Sequence, residues 1–188
     1  MDDAHAVGVL GDGGRGTAEH FGLEDQVDLI MGTYSKSLAA IGGFVAGSKV
    51  VIDFIKHIGR SMIFSASLPP SLVASVSTAL DIIEEQPQLR IQLWKNTHKM
   101  LKGYKELGYD TGTSETPIVP IIIKDSLKVY QMCKLLFENG VFVNPVVSPA
   151  VPPGRELLRT SYMATHTEEQ LDKVLAAFDK VGKQLGLI

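Results

Sequence analysis

From residue 86 onward the chain alternates between helix and strand patterns, and this alternation constrains its fold more than any other feature. Apolar residues recur at three- and four-residue steps between Pro87 and Leu107, which predicts a long amphipathic helix. Ile118 to Ile123 is rich in β-branched residues and predicts a strand, which Pro120 assigns to a sheet edge or a bulge. The order helix, strand, helix, strand, strand, helix predicts a small α/β (or α+β) sandwich over residues 86–188.

The other elements of this half are marked by their end signals. Ser126 to Asn139 is predicted to be a helix that Ser126 caps, and Val141 to Val147 and Leu157 to Met163 are predicted to be strands. Thr167 and Gln170 form a capping-box pattern at the start of a last amphipathic helix.

The first half indicates part of a larger sheet. Short apolar strands are predicted at Val27–Met31 and Gly42–Gly47, and helices at Lys49–His57 and Pro70–Glu85. In the second of these helices Leu72, Val73, Val76, Leu80 and Ile83 are predicted to face inward, and Ser61–Ser67 is predicted to be irregular. The first residues, with charged positions, His5 and then many glycines, are typical of a strand end and the loop after it, so we expect that the strand itself lies upstream of this sequence.

Charge and composition exclude several classes of function. The net charge of −3 and the absence of a Lys/Arg run disfavour nucleic-acid binding. The apolar runs are too short to cross a bilayer, and the acidic start is unlike a signal peptide. The single cysteine, Cys133, excludes an internal disulfide, so a reducing, cytoplasmic setting is the expectation. No metal site is predicted.

Lys36 is the most informative single residue, because it lies in Gly32–Leu38, a run of small and hydroxylated residues between two predicted strands. Two interpretations are open on spacing alone: a surface lysine in a hairpin-like turn, or a desolvated amine that forms a Schiff base. The glycine-rich stretch Gly11–Gly16 matches no nucleotide-binding fingerprint and is predicted to be an irregular connector rather than a phosphate loop.

Polar groups that would suit a pyridine cofactor occur at predicted strand ends and in loops. Such a cofactor needs a lysine, a carboxylate beside its ring nitrogen and donors for its phosphate, and an amino-acid substrate needs an arginine for its carboxylate. Each role has candidates, which are Lys36, Asp2 with His5, the hydroxyls of Thr33, Ser35 and Ser65, and Arg159. Taken singly, each could equally be structural.

Seven motifs, in this order and spacing, resemble the α-oxoamine synthases, which are pyridoxal-phosphate enzymes of the aspartate-aminotransferase fold (fold type I). They are Asp2–Gly8, Gly14–Gly16, Thr33–Lys36, Gly42–Phe44, Phe64–Pro70, Leu157–Arg159 and Ala164–Thr167. Within the family the resemblance is greatest to bacterial serine palmitoyltransferases, through the Thr33–Ser37, Ile63–Pro70 and Phe142–Asn144 segments. It implies that residues 1–85 are the carboxyl-terminal part of the cofactor-binding large domain and residues 86–188 the small domain.

The resemblance also implies a role for each candidate. Lys36 matches the lysine that forms the internal aldimine with pyridoxal 5'-phosphate and later removes the α-proton. Asp2 matches the carboxylate that pairs with the pyridinium nitrogen, and His5 matches the histidine beside the phenolic oxygen and the substrate carbonyl. Thr33 matches a ligand of the cofactor phosphate, and Ser35 is a further candidate for that role. Ser65 matches a hydroxyl that reaches the cofactor of the neighbouring subunit, and Arg159 matches the arginine that binds the substrate carboxylate.

The reaction implied is the decarboxylating condensation of an amino acid, L-serine foremost, with a long-chain acyl-CoA to a 3-oxo amine, a step of sphingolipid biosynthesis, by a homodimer. Glycine C-acetyltransferase and 8-amino-7-oxononanoate synthase are alternatives inside the family, with a transaminase of the same fold less favoured. A non-catalytic fragment or interaction domain is an alternative of another class. Family members carry a long segment before the Asp-x-x-His motif, so we expect this chain alone to be inactive.

Overall fold

The computed structural model describes all of residues 1–188, which divide into two compact units, Met1–Arg90 and Ile91–Ile188. Helices and small sheets occur in both units, as the predicted α/β class requires. The domain boundary predicted at residues 85 and 86 stays a prediction.

The first unit contains a two-stranded sheet and several helices. Its elements are α1 (Thr17–His20), a 3₁₀ turn (Glu24–Gln26), β1 (Leu29–Thr33), β2 (Gly43–Gly47), α2 (Lys49–Ile58), α3 (Arg60–Ile63) and α4 (Pro70–Glu85). β1 and β2 pair antiparallel, with Leu29 opposite Gly47 and Thr33 opposite Gly43. The first residues run alongside β1 in the parallel sense, through a single bridge between Asp2 and Met31, which agrees with the prediction of a strand end and a following loop.

Two predictions for this unit are wrong in part. Ser61–Ser67 was expected to be irregular, but α3 (Arg60–Ile63) includes its first three residues, and only residues 64–67 are irregular. In α4 only Val76 is buried, whereas Val73 and Leu80 are 52% and 43% exposed. Periodicity identifies an apolar face but not what packs against it, and within this unit only Leu38 and Ala40 and their neighbours cover α4.

The second unit is a three-stranded antiparallel sheet packed against helices. Its elements are α5 (Pro87–Glu106, in which the division between the units falls), β3 (Ile118–Ile122), α6 (Ser126–Glu138), β4 (Asn144–Val146), β5 (Leu157–Ser161) and α7 (Glu168–Gln184). The sheet order is β3-β5-β4, so Pro120 lies in an edge strand, where its missing N–H breaks no ladder.

At the helix ends of this unit, the predicted cap of α7 is confirmed and the predicted cap of α6 is wrong. Thr167 and Gln170 form the complete reciprocal capping box at the start of α7. α6 is capped by Asp125 rather than Ser126, because the Asp125 carboxylate accepts from the N–H of Lys128 at 3.0 Å. Aspartate and serine are both favoured at a helix N-cap, so the sequence alone does not distinguish Asp125 from Ser126 as the cap.

β4 is much shorter than the predicted strand Val141–Val147. Val141 and Val143 are buried and Phe142 is exposed, so the strand-like alternation is present. Only Asn144–Val146 pairs with β5. Residues 141–143 form no ladder hydrogen bonds with that strand.

A cluster of aromatic side chains forms the centre of this unit's core. Tyr104, Tyr109 and Phe178 meet edge to face, with ring centroids 4.9 to 6.2 Å apart. The hydroxyl oxygens of Tyr162 and Tyr104 are 2.8 Å apart, and Thr160 donates to the carbonyl of Val119 at 2.8 Å. Burial raises the pKa of Tyr162 to about 12.

No helix has both the length and the apolar character that crossing a membrane requires. No group of three or more His, Cys, Asp or Glu side chains is placed to hold a metal ion.

Candidate active site

Lys36 lies in a closed loop that connects β1 to β2. The loop is closed by Tyr34, whose N–H donates to the carbonyl of Gly42 at 2.9 Å and whose own carbonyl accepts from Ala40 at 2.7 Å. Leu38 anchors the loop, because its side chain is buried against α4. Ala39 adopts a left-handed conformation (φ 49°), which is uncommon for a residue with a Cβ and holds the loop in a tight turn.

A chain of hydroxyls leads from Lys36 back to β1. The Lys36 amine is 3.5 Å from the Ser35 hydroxyl, which lies 2.8 Å from the Thr33 hydroxyl. Thr33 donates its proton to the carbonyl of Gly42 at 3.1 Å, so its oxygen accepts from Ser35. The Ser35 proton is thereby directed away from Lys36, and the Ser35 oxygen is left to accept from the amine.

The Lys36 side chain is exposed in this structure. Within these 188 residues Lys36 is therefore a surface lysine in a hairpin-like turn, and it is not a desolvated amine.

Asp2 and His5 lie at the same end of the sheet as the Lys36 loop. The parallel bridge between Asp2 and Met31 makes the chain leave the sheet after Asp2 at the carboxyl end of β1, where Thr33 also lies. The Ser37 hydroxyl donates to the carbonyl of Val7 at 2.6 Å and ties the two loops together. Asp2 and His5 are both exposed, and one Asp2 carboxylate oxygen accepts from the N–H of Ala4 at 2.9 Å.

Asp3, which sequence reasoning did not single out, positions this loop. Its carboxylate is fully buried and accepts from the N–H of Thr17 at 3.2 and 3.3 Å. Gly16 makes this possible, because a Cβ there would lie 2.3 Å from the carboxylate. The only signal in the sequence was indirect: α1 starts after a glycine and has no side-chain cap of its own, so an acceptor had to come from elsewhere.

The glycine-rich loop is an irregular connector whose amides are already occupied. The Glu19 carboxylate accepts from the N–H of Gly13 at 2.9 Å and of Arg15 at 2.8 Å, and the Arg15 side chain pairs with it at 3.5 Å. Burial raises the pKa of Glu19, but these backbone bonds and the nearby charges of Arg15 and Arg90 outweigh burial and leave the pKa below its ordinary value. An internal anion therefore fills the place that a phosphate would take.

The two remaining candidates lie elsewhere. Ser65 follows α3 and is exposed, and its hydroxyl donates to the carbonyl of Ser61, so it shares no hydrogen bond with the Lys36 chain. Arg159 belongs to the second unit, in the middle of β5 and opposite Asn144. It is half-buried, and its guanidinium makes no hydrogen bond or ion pair.

The model of the aminotransferase class I and II family matches residues 1–178 of this chain. The chain belongs to the aminotransferase class I and II family. It is 53% identical over 184 residues to the serine palmitoyltransferase of Sphingobacterium spiritivorum, covering 98% of this chain and 46% of that protein. It is 46% identical over 188 residues to the 8-amino-7-oxononanoate synthase of Thermoanaerobacter pseudethanolicus, covering 100% and 48%.

A solved structure of this aminotransferase family supports the fold and the cofactor. A high-resolution structure of "SPT with PLP internal aldimine" superposes with a TM-score of 0.95 at 37% identity, covering 100% of this chain and 48% of the other. The fold-type-I prediction is therefore confirmed, and pyridoxal phosphate is the cofactor that the comparisons indicate. The chain spans about half the length of the relatives that it matches.

Proposed function

We propose that this chain supplies the lysine-bearing part of an α-oxoamine synthase, a pyridoxal-phosphate-dependent acyltransferase. Such an enzyme joins the α-carbon of an amino acid to the acyl group of an acyl-CoA and releases CoA and CO₂. The observation that carries the proposal is the Lys36 loop, closed on itself, lined by the Thr33 and Ser35 hydroxyls and tied through Ser37 to the segment that bears Asp2 and His5.

The residues present fit the cofactor by the chemistry of their donors. The Ser35 oxygen is the hydrogen-bond partner of the Lys36 amine. The Thr33 and Ser35 hydroxyls lie on the same loop and would turn their protons to a phosphate from the Gly42 carbonyl and the Thr33 oxygen, to which they now donate. Asp2 has a carboxylate oxygen that accepts no bond from Ala4 and suits a ring-nitrogen proton. When bound, the protonated pyridine ring accepts the electron pair that is left on the α-carbon of the amino acid.

Each side chain then has a definite task. Lys36 would hold the cofactor through its side-chain amine, and the same amine, when free, would be the base that takes the α-proton of the amino acid. Asp2 keeps the ring nitrogen protonated, and His5 donates to the carbonyl oxygen of the substrate. Arg159, whose guanidinium is unpaired, binds the carboxylate of the amino acid through two parallel N–H donors.

L-Serine and a long-chain acyl-CoA are the proposed substrates, and sphingolipid biosynthesis is the proposed setting. The support is the 53% identity to a serine palmitoyltransferase. A second candidate is an 8-amino-7-oxononanoate synthase, supported by 46% identity over the whole chain. Glycine C-acetyltransferase is a third. Assays of the enzyme that contains this chain with serine, alanine and glycine, each paired with long-chain, pimeloyl and acetyl thioesters, separate the three.

A homodimer is the proposed assembly, with Ser65 contributing to the partner's cofactor site. In support, the apolar side chains on one face of α2 are exposed, and the segment just before Ser65 carries exposed Met62, Ile63 and Phe64. Apolar surface of this extent is characteristic of an interface. We place the protein in the reducing cytoplasm, since its single cysteine forms no disulfide.

Covalent labelling tests the proposal directly. The chain is mixed with pyridoxal phosphate and reduced with borohydride, and the labelled lysine is located by peptide mapping. We expect the label at Lys36, its loss in Lys36→Ala and its retention in Lys49→Ala, an exposed lysine of α2. Label spread evenly over surface lysines would favour the alternative of a non-catalytic fragment or interaction domain.

A turnover assay of the same sample tests whether 188 residues suffice. We expect no measurable condensation of serine with palmitoyl-CoA, because Lys36 is exposed rather than enclosed and half the length of the relatives is not represented. Stoichiometric cofactor binding together with turnover would contradict this expectation.

A further inference from the structure

Ser37 follows Lys36 in the loop between β1 and β2, and its side chain bonds to a different part of the first unit. Its hydroxyl donates to the carbonyl of Val7, which is 30 residues earlier in the chain, with the two oxygens 2.6 Å apart. That distance is within the ordinary range of O–H···O hydrogen bonds. The function proposed above gives Ser37 no task of its own.

The acceptor of this bond is fixed in place. The N–H of Val7 donates to the carbonyl of Asp3 at 3.2 Å. Asp3 is itself anchored, since its N–H donates to a β1 carbonyl at 2.7 Å and its buried carboxylate accepts from the N–H of Thr17. A group that bonds to the Val7 carbonyl is therefore located relative to the loop that bears Asp2 and His5.

The two loops approach each other closely at this bond. Gly8, next to the acceptor, has a φ of 79°, a conformation that favours glycine. A Cβ on Gly8 would lie 3.2 Å from the Cβ of Ser37 and 3.3 Å from its hydroxyl oxygen, which is tighter than an ordinary van der Waals contact. The contact between the loops therefore depends on a small residue on each side.

Lys36 is held on both sides along the chain. The residue before it, Ser35, has its hydroxyl 2.8 Å from that of Thr33 in β1, and the residue after it, Ser37, is bonded to the neighbouring loop. The carbonyl of Lys36 accepts from the N–H of Ala39 at 3.0 Å. The backbone of Lys36 is thus located by its two neighbours, and its exposed side chain starts from a fixed point.

We infer that Ser37 is a positioning residue, which sets the place of the Lys36 amine relative to Asp2 and His5. A misplacement of about 1 Å costs roughly 10²-fold in rate when reacting groups must be aligned. Without the bond, the Lys36 loop would stay attached to β1 but no longer to the loop that bears His5. For the reaction this role rests on the proposed function, whereas the bond itself is tested without it.

Nuclear magnetic resonance of the 188-residue chain, without cofactor, tests the bond. Ser37→Ala removes the donor, and Ser37→Thr keeps a hydroxyl. Ser75→Ala is the matched control, because that hydroxyl also donates to a backbone carbonyl, that of Ser71 at 3.0 Å in α4. We expect Ser37→Ala to shift the amide nitrogen signal of Gly8, whose peptide group contains the acceptor. Ser37→Thr should leave that signal near its parent position, and Ser75→Ala should not move it.

Kinetics of the enzyme that contains this chain test the positioning role. We expect Ser37→Ala to lower kcat roughly tenfold, with KM for the amino acid within about twofold of the parent value, and Ser37→Thr to restore most of the rate. Ser37→Ala is also combined with His5→Ala. Because Ser37 acts by placing Lys36 against His5, its loss should matter much less once His5 is gone. A merely structural bond would give two losses that multiply.

Several results would overturn the inference. An unchanged Gly8 signal in Ser37→Ala would exclude the bond. Equal kcat losses in Ser37→Ala and Ser75→Ala, or losses that multiply with His5→Ala, would exclude the positioning role. Urea unfolding should show comparable stability for the two serine variants, which separates a change in rate from a loss of fold.

Failure of the proposed function has a different signature. In that case the parent enzyme condenses no amino acid with any thioester, whatever residue stands at position 37. The rate at which pyridoxal phosphate attaches to Lys36 then decides the positioning role. We expect attachment to slow roughly tenfold in Ser37→Ala and to be unchanged in Ser75→Ala. Equal rates in the parent and Ser37→Ala would exclude the role.

Discussion

Thr33 is the residue that organises the surroundings of Lys36. Its hydroxyl donates to the carbonyl of Gly42, accepts from the Ser35 N–H at 3.3 Å and lies within hydrogen-bond distance of the Ser35 hydroxyl. One side chain thus fixes both ends of the Lys36 loop and the orientation of the next hydroxyl. A threonine before a lysine is common in sequences, so this role became visible only in the structure.

Thr33→Val tests this role, since valine keeps the shape and removes the hydroxyl. We expect the free energy of unfolding to fall by about 1 kcal/mol and the attachment of pyridoxal phosphate to Lys36 to weaken roughly tenfold. Chemical denaturation and the borohydride labelling yield measure the two effects. Thr78→Val is the control, because that hydroxyl donates to Ala74 within α4 and should matter little. Equal effects of both variants would argue against a special role for Thr33.

Glu19 acts as an internal counter-ion of the glycine-rich loop, and its lowered pKa gives a pH dependence with a definite sign. A carboxyl group whose pKa is lower in the folded state stabilises the fold above its unfolded pKa. That stabilisation is lost as the pH falls through the lower, folded pKa.

Glu19→Gln should therefore be less stable than the parent chain at pH 7, and the difference should shrink below about pH 4. Urea unfolding between pH 3 and pH 7 gives this difference. Glu106→Gln, which removes an exposed carboxylate paired with Lys102, is the control and should leave stability within about 0.5 kcal/mol. A difference for Glu19→Gln that is constant over the whole range would contradict the assignment.

Secondary-structure elements were predictable where their ends carry local signals. The proline at the start of α4, the capping box of α7 and the edge position of Pro120 all follow from local backbone chemistry, and all three occur. The exposure of Val73 and the short β4 were not predictable, because burial and pairing depend on which segment lies opposite. For the same reason the sequence indicated Lys36 as the centre of a site, but not the contribution of Asp3.

Helix α5 contains a close approach that makes a testable prediction. A Cβ on Gly103 would lie 2.6 Å from Leu175 of α7. Gly103→Ala should destabilise the protein by about 1–3 kcal/mol through overpacking, although alanine is the better helix former by about 1 kcal/mol. Thermal or urea unfolding measures the change, and Lys105→Ala on the same helix should be nearly neutral. A stabilised Gly103→Ala would mean that the Leu175 side chain moves aside at little cost.

The whole molecule leaves much apolar surface uncovered, most clearly on α2. Val50 is 80% and Phe54 62% exposed, and neither belongs to a core cluster. Basic side chains border this face, and only Asp53 on the helix is acidic. We therefore expect self-association through α2, as the proposed homodimer requires.

Sedimentation of the double variant Val50→Glu and Phe54→Glu tests this expectation. The parent chain should associate with rising concentration, and the variant should remain mainly monomeric with its unfolding free energy changed by less than about 0.5 kcal/mol. Leu127→Glu with Phe137→Glu, on the exposed face of α6, is the matched control and should associate like the parent. A parent chain that is monomeric at every concentration would exclude an α2 interface.

The carboxylate within the glycine-rich loop also affects how ligand experiments on this protein are read. A loop with vacant amides would take up phosphate or sulfate from ordinary buffers and blur every titration with an anion. Because Glu19 already receives the N–H groups of Gly13 and Arg15, that background is removed near neutral pH. A shift in melting temperature on changing from a zwitterionic buffer to phosphate would then report on anion binding outside the glycine-rich loop, with the Lys36 loop as the first candidate. The same comparison at a pH low enough to protonate Glu19, whose pKa lies below its ordinary value, would lose that selectivity.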